Sequence, residues 1–210
     1  MNAKRTARTV VVVCICACII VAYYIYLDRS TSSRVANSDN VQVSEKDRLL
    51  TMDFDKNYPP TPREVIKTYN RYLTLCFGDQ NLTKKEITRL AGKIRQMMDP
   101  ELAAKNPADE YADSLTSQIS DYKSRKAKML STKVCDTSDV IYGSLKGHDV
   151  AYVQAGYSVK EASSISRTYQ KYILRLDGND HWRILGFEVT DADGNTIRSG
   201  HSIRSGEKTK

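Results

Sequence analysis

Apolar and polar positions divide the chain into stretches that obey different rules. From Val10 to Leu27 no charged residue interrupts the run, and at about 1.5 Å per residue such a helix is roughly 27 Å long, near the hydrocarbon thickness of a bilayer. A cleaved signal has a shorter apolar core followed by small residues, whereas this run ends in bulky Tyr23, Tyr24, Ile25, Tyr26 and Leu27. It predicts an anchor that stays. Lys4, Arg5 and Arg8 precede it, and Asp28 and Arg29 nearly cancel after it, so residues 1–9 are expected in the cytoplasm and the rest of the chain outside. The tyrosines at its outer end suit the headgroup zone. The expected protein is single-pass in the cell membrane, with an extracytoplasmic C-terminal domain.

Residues 28–59 are mostly Ser, Asn, Asp, Lys and other polar types, with Leu49, Leu50, Met52 and Phe54 as their one compact apolar group. They read as a flexible linker that "YPPTP" stiffens at its end. The period then becomes helical. Thr61, Pro62 and Glu64 form a helix start, and Val65, Ile66, Tyr69, Tyr72, Leu73 and Cys76 recur at helical spacing until Gly78. Thr83 and Glu86 repeat the capping pattern ahead of Ile87, Leu90, Ala91, Ile94 and Met98, in a helix that stops before Pro100. Asn106 and Pro107 open a third, carrying Tyr111, Leu115, Ile119 and Tyr122 toward Leu130. After Ser131 the period drops to two, around Val150–Ala155, Arg167–Leu176 and "HWRILGFEV". Gly147 and His148 mark one turn, and Asp177–Asn179 another between antiparallel strands. Residues 191–210 show no core pattern and read as a loose polar tail.

Helices followed by a meander of strands predict an α+β domain over 60–190, with three helices packed on a curved antiparallel sheet of about four strands. That element order, closing on the tryptophan-bearing "HWRILGFEV", resembles the nuclear-transport-factor-like cone, a fold also seen in ketosteroid isomerases. With a single N-terminal span added, the architecture is similar to assembly subunits of bacterial type IV secretion and conjugation machines, and to uncharacterised anchored proteins of Gram-positive bacteria. The resemblance covers about Pro60 to Val189 and carries over no active-site residue. It implies a protein partner in the cell envelope.

Charge changes the picture little. Of the net +7, Lys4, Arg5, Arg8 and Arg29 against Asp28 supply three units, and the mild remainder lacks the concentrated basic footprint of a nucleic-acid binder. Lys85, Arg89 and Lys93 share one side of the second helix, and Lys123, Arg125, Lys126, Lys128 and Lys133 form another basic group. Either reads as a solvated face or as a contact for anionic lipid or wall polymer. Cys14, Cys16 and Cys18 lie in the apolar run, where small side chains pack well. Cys76 and Cys135 read as buried thiols, with a bridge open to them if the fold brings them together.

Chemistry is sparse. His148, His181 and His201 belong to no metal-ligand spacing, and no glycine-rich phosphate loop is present. "DADGN" at Asp191–Asn195 opens like a calcium loop, but Ser202 stands where the closing glutamate belongs, so it reads as a turn without a metal. No cofactor is implied. An aromatic group remains: Tyr69, Tyr72, Tyr152, Tyr157, Tyr172 and Trp182, either core or the lining of an apolar ligand pocket with hydroxyl handles. Two functions follow: a non-catalytic anchored domain that docks proteins in an envelope assembly, or a small-molecule-binding, isomerase-like cone. A filled interior favours docking, and an open cavity with an ionisable group at its base favours the ligand.

Overall fold

Local capping starts the two principal helices where the pattern predicts. In the computed structural model, which describes residues 44–78 and 81–197, the Thr61 side chain accepts from Glu64 N at 3.2 Å ahead of Pro62. Thr83 and Glu86 close a reciprocal box, with Thr83 N donating to Glu86 Oε2 at 2.7 Å. The predicted anchor at 10–27, its flanks and the tail beyond 197 lie outside the described residues. Among the described residues no helix is long and apolar enough to cross a membrane.

Among the described residues, five α-helices precede five strands. They are α1 (Glu45–Thr51), α2 (Pro62–Phe77), α3 (Lys84–Gln96), α4 (Pro100–Ala104) and α5 (Ala108–Ser124), then β1 (Ala127–Val134), β2 (Ile141–Leu145), β3 (His148–Glu161), β4 (Ser164–Leu176) and β5 (Trp182–Thr190). All belong to one unit beginning at Glu45. The sheet is antiparallel in the order β1-β3-β4-β5, and β2 pairs with the same edge of β3 as β1 does. β1 and β2 therefore lie end to end, interrupted by a short excursion whose Val140 turns into the core. The helices bury Val65, Ile66, Leu90, Ile94, Leu115 and Ile119 against the face that carries Ala151, Val153, Ala155, Tyr157, Tyr172 and Leu174. That face is the odd-numbered set of β3 and the even-numbered set of β4, as a period of two requires.

Several predicted boundaries move. Residues 45–58, expected within the 28–59 linker, are folded: Leu49, Leu50 and Phe54 are buried, and the Tyr72 hydroxyl donates to Leu49 O at 2.9 Å. Their apolar positions are too few to show a period, and the surfaces they cover, α3, Tyr72 and the start of β5, come from distant parts of the chain. Pro100, expected to end a helix, also begins one, because Asp99 caps α4 through Glu101 N at 2.9 Å and proline suits the first helical position. Asn106 is not the cap of α5, since its amide donates to Leu102 O at 2.8 Å and Pro107 takes the cap position. β1 and β2 escape the pattern because lysines interleave the first and the second is exposed throughout.

Two glycines have distinct duties. Gly147 lies at φ +80 after Lys146 at φ 51, which makes the two-residue turn between β2 and β3. Gly78 ends α2 with negative φ, but a Cβ there would lie 2.5 Å from Thr74 O, so close approach rather than handedness demands glycine.

The far edge of β5 is partly covered. Residues 97–99 run parallel to it, with Ile184 N donating to Met97 O and Asp99 N to Ile184 O, each at 2.8 Å. After β5 the "DADGN" segment is a turn tied by Asp191 Oδ1, which accepts from Asp193 N at 3.0 Å and Asn195 N at 2.8 Å. Gln154 fastens this turn to the sheet by donating to Asp191 O and Ala192 O.

Candidate functional site

A cavity of about 350 Å³ opens between α2, α5 and the helix-facing side of the sheet. Tyr69, Leu73 and Phe77 enter it from α2, one helical turn apart in sequence. Tyr111, Leu115, Gln118 and Tyr122 line it from α5, at the i, i+4, i+7, i+11 spacing of a single helix face. The sheet adds Met129, Tyr157, Val159, Thr168, Gln170 and Phe187. Phe187 stays 55% exposed, so part of the apolar wall faces solvent.

Of the residues predicted to form a pocket, Tyr69 lines the cavity and Tyr172 stands behind its wall, its ring 5.7 Å from Tyr69 in an edge arrangement. Three predicted lining residues are elsewhere. Tyr72 points one helical step away into the core, 6.3 Å from Phe54. Tyr152 has the wrong parity on β3 and pairs with Ile141 and Ile173 on the opposite face. Trp182 meets Tyr142 at 5.8 Å, and its carbonyl accepts from Tyr58 at 2.8 Å. Tyr157, also in the predicted aromatic group, does reach the cavity. The lining residues of α5 are visible in the sequence as an apolar stripe, but a stripe facing a cavity is written no differently from one facing a core. Gln118, Thr168 and Gln170 carry no sequence signal.

At the back of the cavity, four side chains touch in a row. The Tyr157 hydroxyl lies 2.8 Å from Asn70 Oδ1 and 2.7 Å from the Tyr172 hydroxyl, which is 2.5 Å from Gln170 Oε1. No carboxylate, histidine, lysine or arginine is among the described lining residues. Burial pushes the Tyr69 phenol up to about 12, with Cys76 nearby adding to it. Burial likewise pushes Tyr111, Tyr157 and Tyr172 upward. The cavity is therefore neutral at physiological pH and is equipped to exchange hydrogen bonds.

These phenols set an alkaline limit on stability. A phenol whose folded pKa exceeds its unfolded value contributes stability that is fully present below the unfolded pKa and is lost as pH rises through the folded one. Unfolding free energy is expected to begin falling above about pH 10, by about 1.4 kcal/mol per pH unit for each buried phenol. Absorbance at 295 nm is expected to show these tyrosines ionising only as the fold is lost. Their ionisation near pH 10 with the fold intact would contradict the burial described.

The other candidates lie apart. Lys85 and Arg89 are exposed, while Lys93 is half-buried with its ammonium 6.0 Å from the Phe54 ring. His181 stacks on Tyr58 at 4.3 Å, and the Arg183 guanidinium lies 4.4 Å from the same ring. Cys76 and Cys135 are both free thiols, and burial pushes Cys76 up to about 12. Among the described residues no three His, Cys, Asp or Glu side chains are grouped to hold a metal ion.

Residues 1–187 match the family model described as Domain of unknown function (DUF6715). The chain belongs to this family. No curated protein matches it. In this DUF6715 chain the matched span takes in the N-terminal apolar run and closes at Phe187, so every lining residue of the cavity falls within it.

Proposed function

We propose that this DUF6715 protein is a membrane-anchored, extracytoplasmic binding domain that holds a small, uncharged, largely apolar molecule in its tyrosine-lined cavity. The observation that carries the reading is the open volume of about 350 Å³ between α2, α5 and the sheet, within the range of small-molecule sites. Leu73, Phe77, Leu115, Met129, Val159 and Phe187 give it an apolar wall, and Gln118, Thr168, Gln170 and the tyrosines give it polar groups. Neutral phenols with raised pKa values supply hydrogen bonds rather than a general base, so the reading is of binding without catalysis. The order of helices before an antiparallel meander supports a nuclear-transport-factor-like cone, and the uncharged run at 10–27 supports the anchor.

Docking to an envelope protein is a second reading, favoured by β2. Every residue of that strand is exposed, with Ile141 and Tyr142 about 60% accessible, and an uncovered apolar edge invites a partner strand.

Thr168 separates the two readings because it is exposed yet lines the cavity. Thr168→Trp fills the mouth from the sheet side. With 2-acetylnaphthalene as probe and the full chain in lipid nanodiscs, the variant is expected to bind at least about tenfold more weakly, the equivalent of about 1.4 kcal/mol. Its stability should stay within about 0.5 kcal/mol of the parent. Equal affinity in both proteins would move the site elsewhere, and no binding of the probe above empty nanodiscs would remove the ligand reading.

A further inference from the structure

The row of four side chains behind the cavity contains a proton shortage. Each tyrosine hydroxyl brings one proton, and a side-chain amide brings protons only through its nitrogen. With Asn70 and Gln170 both presenting oxygen, two protons serve three contacts. Tyr157 and Tyr172 would then face each other at 2.7 Å with only lone pairs between them. The third proton has to come from an amide N–H.

Asn70 has one to spare. Its side chain is 2% exposed, and its Nδ2 is buried with no hydrogen-bond partner. Turning this amide over exchanges two atoms of nearly equal size. It sets Nδ2 against the Tyr157 hydroxyl, which supplies the missing proton and gives the orphaned donor its partner. What is left unpaired is a carbonyl oxygen, and buried carbonyls tolerate that better than buried N–H groups do. Turning Gln170 over instead fills the central contact but leaves the Asn70 donor stranded.

We infer that the bonds run in one direction, from Asn70 Nδ2–H to Tyr157, from Tyr157 to Tyr172 and from Tyr172 to Gln170 Oε1, so that Gln170 offers its Nε2–H₂ to the cavity as a donor. The subsite takes a neutral hydrogen-bond acceptor, such as the carbonyl of a ketone or ester on an apolar body. Three aligned bonds upstream polarise the Gln170 amide and strengthen its remaining donors. No described lining residue carries a charge that would draw a carboxylate or an ammonium instead.

This inference rests on the ligand reading and deepens it. Its test uses the full chain in nanodiscs with two probes of the same shape, 2-acetylnaphthalene and 2-isopropenylnaphthalene, which differ by a carbonyl oxygen. The ketone is expected to bind about tenfold more tightly than the alkene, the yield of one hydrogen bond in a dry site. In Gln170→Met the difference between the two probes should shrink below about twofold. Equal affinity in the parent protein, or a preference for the alkene, overturns the donor assignment while leaving the cavity as a binding site. Independently of any probe, nuclear magnetic resonance of the parent chain should show the Asn70 Hδ2 protons in strong dipolar contact with the Tyr157 hydroxyl proton. A weak contact, with the Asn70 amide protons behaving as unbonded, overturns the direction of the chain. Failure of both probes to bind removes the ligand reading itself, and the Asn70 measurement still judges the direction of the bonds.

Discussion

Replacing Leu49 by alanine is expected to destabilise the folded unit by about 2–5 kcal/mol. A residue in a flexible linker would cost less than about 0.5 kcal/mol on the same change. The larger figure is expected because Leu49 is fully buried and its carbonyl receives the Tyr72 hydroxyl at 2.9 Å. Truncation to alanine leaves a void in the core that Leu49 shares with Leu50, Phe54 and Tyr72. Urea unfolding of the full chain, followed by the fluorescence of Trp182, the chain's single tryptophan, is expected to show a lower midpoint with an unchanged slope. A loss below about 0.5 kcal/mol would mean that α1 does not contribute to the core in solution.

The second large effect belongs to a charge. Asp99 is 1% exposed and receives Arg175 at both carboxylate oxygens, from Nε at 2.8 Å and from Nη2 at 2.5 Å. It also caps α4 through Glu101 N, and Arg175 reaches on to Glu101 Oε1 at 2.8 Å. Arg175→Met keeps most of the side-chain length but strands the carboxylate, and losing one partner of a buried pair costs about 3–5 kcal/mol. The double variant Asp99→Asn, Arg175→Met removes the charge and retains a capping residue. It is expected to recover about half of that loss or more, because the penalty lies mainly in the unpaired charge. If the double variant is no more stable than Arg175→Met, the damage comes from lost packing around the guanidinium stem instead.

Much of the fold was legible because its causes are local. Thr61 and Thr83 cap the helices that their spacing to Glu64 and Glu86 predicts, since a cap needs only residues within one turn. The period of two along β3 and β4 likewise declared which residues share a face. The aromatic site was half legible for the same reason. Tyr69, Tyr157 and Tyr172 converge, but Tyr152 sits on the other side of β3 and Tyr72 one helical step aside. Parity on a strand and angle on a helix can be counted from the sequence. Which parity turns toward the helices cannot, until the partners are known.

Gln170 makes the boundary plain. Nothing in its neighbours along the chain distinguishes it, and its place beside Tyr172 and the cavity depends on β4 pairing with β3 in one register. A shift of one residue would turn it to the opposite face. The proton count behind the cavity is likewise a property of four residues from three elements, α2, β3 and β4.

What the sequence determined alone is what short-range physics decides: the uncharged run at 10–27, the helix starts, the alternation of the long strands and the α+β class. Tertiary structure decided the rest: that residues 45–58 join the core, that residues 97–99 line the edge of β5, and that a neutral cavity remains between α2, α5 and the sheet. The reason is range. Caps and periods act between residues a few positions apart, whereas burial and cavity shape depend on surfaces that meet only after the chain has folded.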